Sequence, residues 1–118
     1  MIIADTKGVK PIENIDPMVM KGPVYRMPLI DAKVTGGFGV VLVNFTKGAR
    51  LNFHTHTDDQ ILYFTEGKGI VATKQAEKVV TAGMVVFIPR GEVHWHGAAP
   101  DSSCSHLAFY KGSSQVVK

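Results

Sequence analysis

The chain holds a single cysteine, Cys104, so no disulfide can form within it, and the expectation is a reducing compartment, the cytoplasm. Cys104 has no neighbour at C-x-x-C spacing. It reads as a small half-buried strand residue, with a reactive thiol as the alternative. Long apolar runs are also missing: Met84 to Ile88 is strand-sized and too short to span a bilayer. The first ten residues carry Asp5, Lys7 and Lys10 and no signal-peptide core, so neither secretion nor a membrane partner is expected. Basic residues are scattered, and the formal net charge is only +3, which argues against a nucleic-acid partner. Finally, no segment sustains an apolar period of about 3.6 residues; the best helix candidate, Asn14 to Met20, is interrupted by Pro17.

What is present reads as β structure. The 118 residues are 45% apolar and 19% charged, enough for one domain with a real core. Twelve glycines recur between β-branched runs, as turns would. Strands are expected at Val24 to Ile30 (an edge or a bent piece, because of Pro28), at Phe38 to Phe45 and at Gln60 to Thr65. Glu66 to Gly69 is read as a turn, with Gly69 to Thr73 returning as a hairpin partner. Further strands are expected at Lys78 to Thr81, Met84 to Pro89, Val93 to Gly97 and Ser105 to Lys111. Short strands so spaced indicate an all-β barrel or sandwich. Residues 1–20, with Pro11 and Pro17, are expected to be an arm lying on the barrel or on a neighbouring subunit. Residues 21–118 form the barrel, with its core at about 38–111.

All five histidines fall between residues 54 and 106, four of them in the pairs His54/His56 and His94/His96. Spacing of two on a strand puts both side chains on one face. Two neutral imidazoles on one face are half of a metal site. Gln60, four residues past His56, has the same parity and offers a neutral amide oxygen, or else it is a structural amide. His94, far away in sequence, would close the set.

The two histidine blocks read Gly48-x5-His54-x-His56-x3-Gln60-x6-Gly67 and Gly83-x5-Pro89-x-Gly91-x2-His94. In this the chain resembles the cupin superfamily, whose blocks run G-x5-H-x-H-x3-E-x6-G and G-x5-P-x-G-x2-H-x3-N. The resemblance covers about Phe38 to Lys111 and implies a single-domain jelly-roll β-barrel with His54, His56, Gln60 and His94 as metal ligands. Two positions depart: Gln60 replaces the usual glutamate, and Ala98 the final asparagine. A ligand set of three histidines and an amide is neutral, so a divalent ion keeps its full charge, which favours Lewis-acid chemistry on a bound oxygen. The run from His94 to Pro100, with Ser105 to Ala108 and the first block, also resembles small bacterial cupins that act as hydroxynitrile lyases on mandelonitrile. That resemblance implies manganese, with iron, zinc or nickel as alternatives, and an active-site role for His106. Where those lyases carry a glutamine near the end of this strand, the chain has Tyr110.

Around the metal, His96 is expected beside the ion or on the surface rather than as a ligand. His106, sharing a face with Ala108 and Tyr110, would line the lumen as a proton carrier or else face solvent. Val41, Val43, Phe53 and Leu62 are candidate apolar walls, and Tyr110 and His96 complete the candidate pocket. Arg50 could meet an anionic substrate but is otherwise a surface residue. Trp95, of opposite parity, is expected between layers or at a subunit contact. The functional expectation is a metal-dependent enzyme acting on a small-molecule substrate, hydroxynitrile lyase-like. The alternatives are an isomerase or ring-opening enzyme for unsaturated uronates, a dioxygenase, and a non-catalytic metal-containing cupin. A homodimer is expected, because small barrels expose apolar sheet surface that a second copy covers.

Overall fold

The computed structural model describes residues 1–118 as twelve strands and almost no helix. In chain order these are β1 (Ile12–Glu13), β2 (Val19–Lys21), β3 (Val24–Ile30), β4 (Gly39–Phe45), β5 (Arg50–Leu51), β6 (His54–His56), β7 (Gln60–Thr73), β8 (Glu77–Thr81), β9 (Val85–Ile88), β10 (His94–Ala98), β11 (Cys104–Tyr110) and β12 (Ser114–Val116). The helical pieces are a 3-10 turn at Thr6–Gly8 and a single α-turn, α1, at Ala32–Thr35, capped by the Asp31 side chain and ended by Gly36 in the left-handed region. No helix is long and apolar enough to cross a membrane.

Every strand pairing is antiparallel, and the sheet curls into the jelly-roll barrel expected from the sequence. One wall runs β1-β3-β4-β11-β7-β9, and the other is built from β12, β6, β10, β5, β2 and β8. Strand β7 belongs to both. Its first half pairs with β9 and β11 and its second half with β8 and β10.

The hairpin expected at Glu66 to Gly69 is therefore not there. The chain runs on through these residues as one 14-residue strand that turns the corner between walls. The two glycines act by letting backbone approach, not by reversing the chain. A Cβ at Gly67, whose φ is +74°, would collide with the Ser103 carbonyl. One at Gly69 would stand 2.8 Å from the Phe64 ring and 2.9 Å from the Gly97 oxygen. The opposing register shifts at Ser105/His106, a bulge that bends the ladder at the same place.

The helix candidate at Asn14 to Met20 is also overturned. The Asp16 carboxylate accepts the Met18 N–H at 2.7 Å, a local turn that feeds the chain into β2. Strands β3, β4, β8, β9, β10 and β11 follow the expected segments to within a residue or two. As Pro28 suggested, β3 is bulged between Pro28 and Ile30.

Inward residues of both walls make the core: Phe45, Leu62, Phe64, Val24, Ile88 and Ala108 lead it. The outer face of the β9-β7-β11-β4 wall is apolar in two cross-strand rows. Phe87, Ile61, Phe109 and Val40 form one, and Val85, Tyr63, Leu107 and Leu42 the other. Val85 and Phe87 are at least 60% exposed, far from the usual state of such residues.

Candidate metal centre

The centre begins with β6. This three-residue strand is gripped on both sides, by β10 with His94 opposite His54, and by β12 with Ser114 opposite His56 and Val116 opposite His54. The turn before β10 is locked onto it as well: the Gly91 N–H donates to the His56 carbonyl at 3.0 Å, and Gly91 has φ +77°, which any side chain would strain. The two distant histidine blocks are thus hydrogen-bonded to each other directly.

His54, His56 and His94 face one another. Their ring centroids are 4.3 Å apart for His54–His94 and 4.9 Å for each of the other two pairs. One nitrogen from each lies within 4.8 Å of the others. The Nδ1 of His54 donates to the Asn52 carbonyl at 2.7 Å, and the Nδ1 of His94 to the Glu92 carbonyl at 2.8 Å. Those bonds fix the tautomer and leave Nε2 of each as a lone pair. Asn52 is itself tied down, its side-chain amide donating to the Pro17 carbonyl at 2.8 Å.

Three buried polar atoms here have no partner: His56 Nδ1, His94 Nε2 and Gln60 Oε1. Buried polar atoms are nearly always satisfied, so unpartnered lone pairs on clustered side chains call for an electrophile. Burial pushes His54 and His56 down to about 4 and lowers His94 too, so all three are neutral, as ligands must be, at neutral pH. Three imidazoles with a neutral amide oxygen at hand fit a divalent metal ion, and these side chains could hold one.

Deeper in the lumen, His106 Nε2 and His96 Nδ1 are 3.2 Å apart and share one proton. Phe45 and Phe64 pack on His106 at centroid distances of 5.4 and 5.1 Å, and Phe45 meets His96 edge-on at 6.0 Å. Enclosure lowers both rings, His106 to about 3, so the pair is neutral. The outer nitrogens, His96 Nε2 and His106 Nδ1, are unpartnered. Both histidines thus lie inside the lumen and not on the surface, and His96 stands 5.5 Å from the His54 ring.

A cavity of about 280 Å³ opens onto four of the five histidines, all but His94. Its lining includes His54, His56, Gln60, His96, His106, Val41, Val43 and Tyr110, as expected from the sequence. Phe53 and Leu62 are not part of it. Phe53 lies in the bend between β5 and β6, outside the lining and beneath the Lys74 ammonium, 4.1 Å from its centroid. Leu62 has no exposed surface and belongs to the core. Arg50 is outside as well, its guanidinium 3.7 Å over the buried Trp95 ring. Tyr110 lies over Gly39, where a Cβ would stand 2.5 Å from the phenol ring. Strand parity missed the three charged contributors to the lining, Arg26, Asp58 and Lys111, and the C-terminal wall Gly112 to Ser114. Cys104 is buried, its thiol directed at the Gly97 carbonyl at 3.5 Å and pushed up to about 12, which makes it an inert packing residue.

Comparison with known proteins agrees with this geometry. The family model described as Cupin domain matches residues 41–110. Over 107 residues the chain is 34% identical to the (R)-mandelonitrile lyase of Granulicella tundricola, covering 90% of this chain and 78% of that one. An acireductone dioxygenase of Parasynechococcus marenigrum is 30% identical over 71 residues, 57% of this chain but only 38% of that protein. Among solved structures, a cupin-like protein from Thermotoga maritima superposes with a TM-score of 0.77 at 30% identity, covering 89% of each chain.

Proposed function

The chain belongs to the cupin family, and from that premise we propose that it is a metal-dependent enzyme of hydroxynitrile lyase type. It would act on a small substrate bearing a hydroxyl or carbonyl oxygen. One observation carries the reading: His54, His56 and His94 each bring a nitrogen within 4.8 Å of the others, beside a cavity that His54, His56 and Gln60 line together with a neutral, proton-sharing histidine pair. His54, His56, Gln60 and His94 would hold the ion, manganese by family likeness. A divalent ion supplies Lewis acidity there, lowering the energy of negative charge on a substrate oxygen.

The remaining work falls to this chain's own side chains. The His96–His106 pair takes the hydroxyl proton at one outer nitrogen, passes the shared proton along, and releases a proton at the other. Both rings stay neutral at either end of the transfer, as their enclosure by Phe45 and Phe64 requires. As that hydroxyl becomes a carbonyl, the carbon–carbon bond to the nitrile breaks with its electron pair on cyanide, which takes up the released proton as hydrogen cyanide. Val41 and Val43 hold the organic group, and Tyr110 bounds it over Gly39.

The test is cyanide release from mandelonitrile by manganese-loaded protein, with metal content measured on the same sample. Release well above the buffer rate, abolished in the metal-free protein, is the expected result. Metal uptake without cyanide release would refute the lyase reading, and oxygen uptake by iron-loaded protein would replace it with the dioxygenase one.

The homodimer expectation attaches to the uncharged outer face bearing Val85 and Phe87. Light scattering on the wild type and on Phe87→Lys checks it: a dimer that becomes a monomer supports the reading, and a monomeric wild type ends it.

A further inference from the structure

The sequence offers Arg50 as the basic residue for an anionic substrate, and the structure turns Arg50 away. A different arginine takes the position. On β3 the residues Val24, Arg26 and Pro28 share one face and all three line the cavity, Val24 buried and Arg26 and Pro28 exposed. The ladder fixes where Arg26 stands: it lies opposite Val43, which lies opposite His106. Arg26, Val43 and His106 therefore make one cross-strand row, with Arg26 two strand spacings, roughly 10 Å of backbone, from His106. His106 in turn contacts His96, and His96 borders the ring of His54. The row thus runs from Arg26 on β3, at the cavity, to the metal-fitting cluster.

Arg26 has no acid of its own. The two ion pairs of the chain are Lys68–Asp101 and Arg90–Asp59. The other charged groups at the cavity are Lys111 and Asp58, and Asp58 accepts from the Thr57 hydroxyl at 3.1 Å. Beside four neutral histidines and Gln60, the lining carries two cations, Arg26 and Lys111, against one anion, Asp58. An exposed arginine on the cavity-lining side of β3, between Val24 and Pro28, presents a planar fork that suits a carboxylate.

We propose that Arg26 is a binding residue for a carboxylate at the far end of the substrate, so that the cavity takes a small oxo- or hydroxy-carboxylate with its oxygen function toward the histidine cluster. The inference rests on the proposed function for the role of that oxygen, but the carboxylate contact stands apart from the metal.

The probe pair is 4-formylbenzoate and its methyl ester, which share the ring and the aldehyde and differ in the charge at the other end. Binding is measured by calorimetry on full-length protein, both manganese-loaded and metal-free, for wild type, Arg26→Met and Arg26→Lys. Wild type is expected to prefer the acid by about tenfold, the scale of one charge-assisted fork. Arg26→Met should abolish the preference, Arg26→Lys should keep part of it, and 0.5 M salt should shrink it on the order of its surface-exposed share. Elemental analysis should give the same metal content in all three. A wild type indifferent to the charge, or a preference that survives Arg26→Met, overturns the proposal; if Arg26→Met fails to fold, Arg26→Lys with undiminished preference and salt-insensitive binding does the same. Failure of the metal reading shows separately, as absence of metal uptake, because the acid preference is read in the metal-free protein too.

Discussion

The five histidines divide into two groups that the fold treats differently. His54, His56 and His94 cluster beside the cavity, which the first two line, with Nδ1 of His54 and His94 anchored on backbone carbonyls and one nitrogen of each histidine within 4.8 Å of the others. His96 and His106 lie among phenylalanine rings and answer each other. Both groups are held neutral by burial, yet one is arranged to give electron pairs away and the other to keep a proton between two bases. The difference comes from the second nitrogen. Where a backbone carbonyl takes the N–H, the other nitrogen is committed as a donor of electrons; where another imidazole takes it, the proton can sit on either ring.

Acid should test both groups at once and have the largest effect. All five histidines titrate below the ordinary 6.5 in the folded chain. Between that value and the lowered ones the unfolded chain binds more protons, so stability is full above about pH 6.5 and falls as pH drops toward 4 for His54 and His56 and toward 3 for His106. Urea midpoints at pH 7, 6, 5 and 4 should decline steadily at constant slope, by several kcal/mol in all. A flat profile would mean the rings are not neutral and enclosed as described.

Separating the groups takes substitution. His94→Ala removes one electron-pair donor and should weaken manganese binding by more than about 100-fold, beyond the range typical for groups that merely support a ligand. Competition with a chelator measures it. The smallest effect is expected for His106→Gln, which should leave manganese affinity within about threefold while lowering any turnover at least tenfold. If His106→Gln cost as much affinity as His94→Ala, the two groups would be one.

The sequence carries the first group more plainly than anything else in the molecule. His54, His56 and Gln60 are two and four residues apart, and strand alternation needs no tertiary knowledge to put them on one side. Parity fails where the ladder is interrupted. Arg50 has the parity of His54, but β5 ends at Leu51 and β6 begins at His54, so the intervening residues reset the count. Glu66 to Gly69 shows the opposite failure: glycines that normally reverse a chain here admit Ser103 and Phe64 against an unbroken strand. Arg26 could not be assigned because the cavity-lining side of β3 is decided by its pairing with Val43, a contact between segments. β12, with Ser114 and Gln115, has no alternation to read; it forms because β6 offers a free edge.

Cys104 sits where β7 changes walls, against Gly69 and Gly97, with its thiol held far from the thiolate form. A sulfhydryl reagent reaches it only when the walls part. The chain therefore contains its own opening reporter: the alkylation rate of its sole thiol, compared with that of the unfolded chain, gives the free energy of separating the two walls without any added dye. Whatever fills the lumen, ion or organic acid, should slow that reaction in proportion to how tightly it binds.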